Sequence, residues 1–546
     1  MFNRGLGFRV CVASVVRIAI RTHRNAAMGN LHIDAVVRRQ DAALARIQND
    51  FGIPIQLVAR PDVSVEAEGI AELLEFVSIQ LTIDAIWEAE KAQRIRPFWG
   101  DAPGKLAGVV LTPDFHKGSG IPVGTVADAR GFVVPRAVGN DVCCGMRVIA
   151  TDAKEDELRA HMPAFKRRLR EIFFQGKRDI PMSPRQREAL LRDGLFGLQE
   201  TAQDNAQNGI WRYYDRRREL DNLERVHFNG ALPTNDTFAF ASFIRASGKQ
   251  DGRDVQIGSI GGGNHFVEVQ TVEEIIDTAT ARTFGLQKGA VTIMAHSGSV
   301  GLGHVVGGHF MARAHEMHPM GLPHPAHGFY VLPTRGPLAE EAAIYLSAMR
   351  NAANFAFGNR LFLTLMAVRA MSEVLGRTIE TRLIYDAPHN LVWEPPRGED
   401  RYLHRKGATP APGPDPFESP FSYTGHPVII PGSMGDASWI LAGLGNDDLY
   451  ASACHGAGRC LTRGQAAHVH DDVYRRTTEK LEVVTPIDPD SPMLRSRRDI
   501  LEKYHRRMKE EAPYAYKAIP PVVQSVEDAG VARRVAKLWP IATVKG

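Results

Sequence analysis

Apolar residues recur at helical spacing along a segment that runs from Glu340 to Leu375. Positions three and four apart are apolar over most of this length, and core packing explains them without any function. The residues that define the stripe include Leu346, Met349, Ala353 and Ala356. The pattern predicts one long helix packed into the protein core.

Two other regions have a less regular pattern. Residues 35–95 are predicted to be mostly helix and connecting segments, and residues 153–225 to be charged helices. The second region contains the clusters KRRLRE and RRREL. Such clusters usually form solvated helix faces, and the alternative is contact with nucleic-acid phosphates. The proline-rich stretch 410–420 is predicted to be a loop.

The composition is that of an ordinary folded protein. The chain has 546 residues, of which 44% are apolar and 23% charged, and its net charge is +4. This apolar content is enough to bury a substantial core. Any nucleic-acid site must depend on basic residues that are concentrated locally. No segment reaches the ~18 consecutive apolar residues of a membrane-spanning helix, so no membrane partner is expected.

The cysteines and the N-terminal segment bear on the compartment. The chain has five cysteines, two of them adjacent, which favours a reducing compartment over secretion. Residues 1–27 contain arginines but no acidic residue; they are predicted to be either an overlong start, with Met28 as the initiator, or a targeting segment. Arg9 and Arg17 interrupt the apolar run and disfavour a cleaved signal peptide. We therefore expect a cytoplasmic protein.

Short glycine-rich stretches along most of the chain each carry a polar residue able to do chemistry. Glycine permits positive φ and close approach of the backbone to a ligand. A single site that draws on all of these stretches implies one interwoven domain rather than a string of modules.

Candidate metal ligands lie in four of these stretches. VGNDVCCGMR carries Asp141 and Cys144, close enough to face one centre from a turn. GSIGGGNHFVE carries His265, MAHSGSVGLGH carries His296 and YDAPHN carries His389. Thiolate, carboxylate and neutral imidazole together suit zinc, manganese or iron. Taken alone, each histidine fits a turn or core position better, and no CxxC or HExxH spacing strengthens the set.

The segment SACHGAGRCLTR is suited to phosphoryl transfer. It places His455 beside a glycine turn, Arg459 and Arg463. Imidazole can be a covalent nucleophile, and guanidinium groups hold phosphate oxygens bidentately. The alternative is a glycine turn with solvent-exposed arginines.

Two nearby segments add polar groups. IIPGSMGDAS offers Ser433 and backbone amides that could cradle an anion, and HRKGAT adds the positive charges of Arg405 and Lys406. Neither a Walker-type GxxxxGK[ST] segment nor a dinucleotide-binding GxGxxG segment occurs in the right context. Any nucleotide is therefore held in another way.

Together these segments resemble the RtcB family of RNA ligases. From about Leu111 to Gly546 the chain contains, in the family's order, TPDFHKGSG, VGNDVCCGM, GSIGGGNHF, AHSGS, YDAPHN, RKGA, IIPGSMG, HGAGR and the terminal VKG. The resemblance implies an α+β fold, a single large mixed domain around a central metal and nucleotide pocket. It divides the chain into an N-terminal extension (1–27), an N-terminal portion of the ligase (28–105) and a catalytic domain (106–546).

The resemblance also implies a reaction. RtcB proteins use GTP and Mn²⁺ to join an RNA 3′-phosphate, or a 2′,3′-cyclic phosphate, to a 5′-hydroxyl. His455 would attack the α-phosphorus of GTP, the resulting histidine-bound GMP would move to the RNA 3′-phosphate, and the 5′-hydroxyl would displace it. A cyclic phosphate must first be hydrolysed. The implied partners are such RNA ends and a helper of the archease type.

The roles of individual residues are implied in the same way. Cys144 matches a cysteine that bridges two Mn²⁺ ions; Asp141 and His265 match further ligands of one ion, and His296 and His389 those of the other. Arg463 matches an arginine near a bound anion, implying contact with an RNA phosphate. The implied GTP pocket consists of Asn264, which would contact the phosphates, and of Phe266, Glu268, Ser433, Gly456, Ala457, Gly458, Arg459, Tyr516 and Lys545.

The chain departs from the family pattern at three places. Val300 stands where the family usually has arginine, Cys143 where it usually has glycine, and LVWE where a lysine is common. Cys143 is either an idle neighbour of the metal site or a redox liability. The absence of the arginine at position 300 leaves an alternative open. The chain would then be a divergent paralogue that guanylylates, caps or processes RNA or DNA ends without efficient joining. A third alternative, an RNA-binding protein without activity, is disfavoured by the intact ligands and nucleophile.

Overall fold

Two large β-sheets and one long helix form the framework of this computed structural model, which describes residues 36–245, 257–396, 398–415 and 419–546. The N-terminal extension, including Met28, lies outside the described residues. Among the described residues, no helix combines the length and apolar character needed to cross a membrane. The mixed helices and sheets confirm the predicted α+β class.

The strands are distributed along the whole described chain. They are β1 (Val37–Arg39), β2 (Leu44–Ile47), β3 (Ile55–Val58), β4 (Lys105–His116), β5 (Val123–Arg130), β6 (Phe132–Val133), β7 (Gly145–Lys154), β8 (Phe266–Ile275), β9 (Ala290–Ser297), β10 (Leu332–Pro333), β11 (Thr381–Pro388), β12 (Asn390–Trp393), β13 (Arg401–Lys406), β14 (Ala408–Pro410), β15 (Pro427–Ile430), β16 (Ser438–Gly443), β17 (Ser452–Cys454), β18 (Glu482–Val484) and β19 (Ala532–Val544).

The strands pair into two large sheets and two short ribbons. The first sheet has the order β1-β2-β3-β4-β5-β13-β12. The second has the order β11-β7-β9-β8-β19-β16-β15, with β18 paired to β19. β6 pairs with β10, and β14 with β17. The chain passes from the second sheet to the first between β11 and β12, so the two sheets are joined at that point.

Along the described chain, the α-helices occur in the segments between these strands. They are α1 (Ala67–Val77), α2 (Ile79–Lys91), α3 (Pro135–Val138), α4 (Glu155–Ala160), α5 (Met162–Phe174), α6 (Pro184–Thr201), α7 (Arg216–Asp221), α8 (Ala241–Arg245), α9 (Thr278–Phe284), α10 (Val300–Met317), α11 (Ala339–Leu375), α12 (Arg463–Ala467), α13 (Asp471–Thr478), α14 (Arg498–Glu510) and α15 (Ile519–Asp528).

Helix α11 is the predicted long helix, and it is buried along most of its length. It packs on β7 and β9 of the second sheet and on helices α5, α6 and α10. Alternate residues of β9 face opposite sides, so Ile293 and Ala295 join the core around α11 while Met294 joins the core on the other face. The same alternation directs His296 away from α11.

Replacing Phe362 by alanine is expected to lower the free energy of unfolding by about 3–5 kcal/mol, because a large cavity would remain in the core. Phe362 is fully buried in α11, with its ring 5.2 Å from that of Trp211. Urea unfolding followed by circular dichroism measures the loss. The control is Ile344→Ala on the same helix, where the side chain is 42% exposed, and a similar loss in that variant would contradict the packing argument.

The charged region 153–225 forms helices α4 to α7, as predicted. Its basic cluster in α5 pairs with carboxylates of the same chain: Lys166 with Glu482, and Arg170 with Asp488. These contacts favour a structural role for the cluster over binding of nucleic-acid phosphates. Of the predicted loop 410–420, Pro410 is the last residue of β14, and the other described residues belong to no helix or strand.

The prediction for residues 35–95 was wrong in part. Helices α1 and α2 are present, but β1, β2 and β3 precede them and extend the first sheet. These strands have only three or four residues each. That length is too short for the alternation of apolar and polar residues that identifies a strand.

Candidate functional site

One cavity of about 1290 Å³ draws lining residues from both large sheets. It includes every residue to which the family resemblance assigned a role in the site. These residues are Asp141, Cys144, Asn264, His265, Phe266, Glu268, His296, His389, Ser433, His455, Gly456, Ala457, Gly458, Arg459, Arg463, Tyr516 and Lys545. The structure therefore brings the predicted residues together, and their individual roles stay predictions.

Three neighbouring strands of the second sheet position three of the five candidate metal ligands. Cys144 immediately precedes β7 and His265 immediately precedes β8, while His296 lies near the end of β9. His296 is opposite Met146 in β7 and Phe266 in β8. Because both neighbours are antiparallel to β9, their first residues lie beside its last ones.

The donor atoms of these residues are in contact. The Sγ of Cys144 lies 3.1 Å from Nε2 of both His265 and His296. His265 Nε2 also lies 3.1 Å from Oδ2 of Asp141, and His296 Nε2 lies 3.3 Å from Nε2 of His389. Cys144 therefore lies between two histidines, with Asp141 beyond one and His389 beyond the other.

This donor set fits a divalent metal ion. Among the described residues, Cys144, His265 and His296 are the group whose donor atoms all lie within 4.8 Å of one another. Burial, with a smaller effect of neighbouring imidazoles, lowers the pKa of His296 and of His389 well below the usual value, which keeps both neutral. Neutral imidazoles beside a thiol and a carboxylate are typical ligands of zinc, iron or manganese.

The adjacent Cys143 takes no part in the donor set. Its side chain is buried in the core around α11 and its φ is +55°, which explains why glycine suits this position. Burial raises the pKa of its thiol to about 12, so the reactive thiolate is scarce. These contacts favour the idle neighbour over the redox liability.

Two buried side chains of α11 hold the ligand-bearing segments from behind. Arg360 donates from Nη1 to the carbonyl of Cys143 at 2.7 Å and to the carbonyl of Ser297 at 3.1 Å. These peptides adjoin Cys144 and His296. Asn359 donates to the carbonyls of Ser259 and Gly298, and accepts from the amide of Gly258 in the segment that leads to His265.

His455 follows β17 and is fixed by Asp114 of β4. Its Nδ1 lies 2.7 Å from Oδ2 of Asp114 and 2.8 Å from the carbonyl oxygen of Gly407. A carbonyl only accepts hydrogen bonds, so Nδ1 carries a proton, and the lone pair of the neutral imidazole is then on Nε2. The ring of His455 lies 4.5 Å from that of His389, measured between centroids. The candidate nucleophile is therefore oriented beside the candidate metal centre.

Two glycines permit this close arrangement. Gly407 has a φ of +63°, and a Cβ there would lie 2.9 Å from the His455 ring. Gly458 has a φ of +79°, and a Cβ there would lie 2.2 Å from the carbonyl oxygen of Asp114. An L side chain at either position would meet both backbone strain and a collision.

A buried polar cluster forms another part of the cavity wall. Glu511 accepts hydrogen bonds from Arg459 Nη2 at 2.9 Å and from the Tyr516 hydroxyl at 2.7 Å, and pairs with Lys545 Nζ at 3.3 Å. The guanidinium of Arg459 also covers the Tyr516 ring at 4.8 Å. Arg459 is thus held by the protein. The alternative interpretation of its motif, a glycine turn with solvent-exposed arginines, does not apply to it.

The Glu268→Gln variant is expected to gain stability over the unaltered protein as the pH rises from 4.5 to 8. Burial raises the pKa of Glu268 to about 8 from its ordinary 4.5. Its contribution to stability is therefore fully present below pH 4.5 and is lost as the pH rises through 8, by up to about 1.4 kcal/mol per pH unit. Thermal unfolding over this range measures the difference.

The control for this prediction is Glu274→Gln, which changes an exposed carboxylate of the same strand. That variant should keep the pH dependence of the unaltered protein. An unchanged slope in Glu268→Gln would show that Glu268 ionises normally in the folded state.

The remaining basic residues divide between the cavity and the core. Lys406 lines the cavity, but its neighbour Arg405 is buried under Trp393, with the guanidinium 4.2 Å from the ring. Arg405 therefore adds no charge to the site, contrary to the prediction. Arg463 is exposed at the start of α12 and lies beside the Gly263 loop. Val300 lines the cavity with a φ of +49°.

Sequence reasoning missed several residues that support the site. Asp114 occurs in the TPDFHKGSG segment, but its role depends on His455, which is 341 positions away. Glu511 belongs to no motif that the sequence singled out. Arg360 and Asn359 lie within the apolar stripe of the long helix. A buried arginine or asparagine requires hydrogen-bonding partners, so their presence in the stripe could have indicated a structural role.

Comparisons with known proteins identify the family of the chain. A family model described as tRNA-splicing ligase RtcB matches residues 100–546. The tRNA-splicing ligase RtcB of Thermococcus kodakarensis is 35% identical over 465 residues, which cover 81% of this chain and 89% of that protein. The RNA-splicing ligase RtcB of Mycobacterium tuberculosis is 34% identical over 463 residues, covering 81% and 98%. The chain belongs to the RtcB family.

Proposed function

We propose that the protein is an RNA ligase that joins a 3′-phosphate or 2′,3′-cyclic phosphate end to a 5′-hydroxyl end through a histidine–GMP intermediate. One observation carries the proposal. His455 is held with its proton on Nδ1 and lies in the same cavity as the Cys144 donor set. A nucleophile and a metal centre in one cavity are what phosphoryl transfer requires.

In the first step His455 Nε2 attacks the α-phosphorus of GTP, a nitrogen–phosphorus bond forms, and pyrophosphate leaves. The imidazole becomes positively charged as the bond forms. Asp114 faces the opposite ring nitrogen and compensates that charge, while its hydrogen bond keeps the ring in position. Divalent cations, when bound, would neutralise the nucleotide phosphates beside the histidine.

The order of the donor atoms supports two cations rather than one. Asp141 and His265 lie on one side of Cys144, and His296 and His389 on the other. A shared thiolate reduces the repulsion between two cations. Asp141, His265 and Cys144 would hold one Mn²⁺, and Cys144, His296 and His389 would hold the second.

The polar cluster around Glu511 is proposed to hold the nucleoside. Glu268, Tyr516 and Lys545 line the cavity there. In its ionised form, the carboxyl group of Glu268 can accept hydrogen bonds from the N1–H and N2–H of guanine, which adenine lacks. The buried setting would make this discrimination strong, because a mismatched base leaves buried polar groups without partners.

In the later steps the RNA 3′-phosphate attacks the phosphorus of the histidine adduct and releases the His455 ring. The RNA 5′-hydroxyl then attacks the activated 3′-phosphate, a phosphodiester forms and GMP leaves. Lys117, Arg136, Lys406 and Arg463 also line the cavity and supply positive charge for the RNA ends. A cyclic phosphate is first opened by water to the 3′-phosphate.

The proposal is tested by incubating the protein with Mn²⁺ and GTP labelled at the α-phosphate. The label is expected to remain on the protein after denaturation, whereas label at the γ-phosphate should not. His455→Ala should abolish labelling, and His468→Ala, an exposed histidine outside the cavity, should not. An unlabelled protein, or label retained in His455→Ala, would refute the histidine adduct.

One observation favours the second candidate, an end-modifying enzyme that forms the adduct but joins ends poorly. Val300 lines the cavity where the family usually has arginine, and its positive φ is unfavourable for a β-branched residue. Val300→Arg would relieve part of that strain and add a cation. Product analysis with defined RNA ends distinguishes the two candidates. Accumulation of guanylylated 3′ ends that decreases in Val300→Arg supports the end-modifying enzyme. Efficient joining by the unaltered protein excludes it.

A further inference from the structure

A second histidine cluster lies outside the cavity. The chain has seven histidines between His296 and His327, and His296 is the one in the Cys144 donor set. At the end of α10, the rings of His315 and His318 lie 5.5 and 5.1 Å from that of His324, measured between centroids. The last residue of α10 that lines the cavity is Met311, about one helical turn before His315, and none of these three histidines lines it.

The ring spacings match those of the proposed metal centre. The centroid distances from His265 to His296 and from His296 to His389 are both 5.1 Å. His315 and His318 are three residues apart at the end of one helix, which places them on the same face. His324 comes from the segment that follows.

Two of the three imidazoles already have the hydrogen bonds that orient metal-bound histidines. His318 donates from Nε2 to the carbonyl of Pro323 at 3.1 Å, which leaves Nδ1 for a ligand. Nδ1 of His324 lies 2.8 Å from the hydroxyl of Tyr330, which leaves Nε2. Metal-ligating histidines almost always make such a bond with the nitrogen that does not bind the metal.

We propose that His315, His318 and His324 bind one borderline divalent cation of the Zn²⁺ type, separate from the Cys144 centre. Three neutral imidazoles with water in a fourth position are a common zinc environment. Among the described residues the Cys144 group alone has donors converging within 4.8 Å, so the histidine cluster must close on the ion. His315 and His324 are exposed, and the closure requires a rotation of the His315 side chain while His324 keeps its bond with Tyr330.

Binding would cross-link two segments of the fold. His315 and His318 belong to the last turn and cap of α10, and His324 to the connection that leads to β10. A shared ion would fix this connection against the helix end. The site rests on the surface cluster alone and does not depend on the ligase reaction.

The test is a Zn²⁺ titration of the full chain in competition with a chromophoric chelator. A background with Cys144→Ala and His296→Ala removes the two central donors of the other centre, and one Zn²⁺ per chain is expected to remain bound. His324→Ala and His318→Ala in that background should lose it. Tyr330→Phe, which keeps the ring but removes the hydroxyl, should weaken binding about tenfold.

His309→Ala is the matched control, because this exposed histidine lies on α10 but packs against Phe238 and Phe310 instead of the cluster. It should bind Zn²⁺ as the parent does. Co²⁺ in the unaltered background gives a second readout, because its thiolate charge-transfer band reports Cys144 alone and should survive His324→Ala. Equal Zn²⁺ stoichiometry and affinity in the parent, His318→Ala and His324→Ala would overturn the proposal.

Discussion

The Asp114→Asn variant is expected to form the labelled histidine adduct about 10³–10⁴-fold more slowly than the unaltered protein, as in other histidine–carboxylate pairs. Oδ2 of Asp114 accepts from both Nδ1 and the backbone N–H of His455, and Oδ1 accepts from the Thr112 hydroxyl. An amide cannot supply negative charge to the imidazole as it becomes cationic. If the amide turns its NH₂ group toward His455, Nδ1 must accept a hydrogen bond. The proton is then on Nε2, which loses the lone pair needed for attack.

Single-turnover labelling with α-labelled GTP measures this rate. Thr112→Val is the matched control, because it removes one hydrogen bond to Asp114 but leaves the carboxylate and its contacts with His455. It should change the rate far less. The thiolate–Co²⁺ band should be the same in both variants, since Asp114 contacts none of the candidate metal ligands. An Asp114→Asn rate within tenfold of the unaltered protein would mean that His455 needs no carboxylate partner.

The pair of His455 and Asp114 marks the limit of what the sequence predicted. The motif of His455, a glycine turn with arginines nearby, made it a candidate nucleophile, and the family resemblance implied its role. Asp114 also lay in a recognised segment, but its partner comes from β17, and the packing of β17 beside β4 is a tertiary contact. Residue type and spacing identify the members of such a site more readily than the pairs they form.

Neighbouring residues show the same limit on a smaller scale. Arg405 and Lys406 were both expected to bring positive charge to the site. They lie in β13, where consecutive side chains point to opposite faces, so Lys406 lines the cavity and Arg405 is buried against Trp393. A strand prediction for HRKGAT would have separated them. Strands β1 to β3 offered no such signal, because each is too short for a pattern.

The Arg360→Met variant is expected to lose about 3–5 kcal/mol of unfolding free energy, because it leaves the buried carboxylate of Asp386 without its closest cation. Arg360 and Asp386 are fully buried and lie 2.8 Å apart, while Arg147 is 3.4 Å from the other carboxylate oxygen. Methionine fills much of the same volume, so the loss reports the missing guanidinium rather than an empty space.

Arg360→Met should also weaken metal binding by about 10–100-fold, because the guanidinium bonds the peptides that adjoin Cys144 and His296. The intensity of the thiolate–Co²⁺ band against Co²⁺ concentration measures this affinity at a temperature where circular dichroism shows the variant folded. Arg350→Met is the control. Arg350 lies on the same helix, but its ion pair with Glu394 is partly exposed. The loss of that pair should change the unfolding free energy by about 0–1 kcal/mol. If Arg360→Met is less stable but binds Co²⁺ as tightly as Arg350→Met, Arg360 stabilises the core without positioning the metal ligands. If Co²⁺ binding is weaker in the folded Arg360→Met variant but not in Arg350→Met, the long helix, which the sequence predicted from core packing, also positions the metal centre.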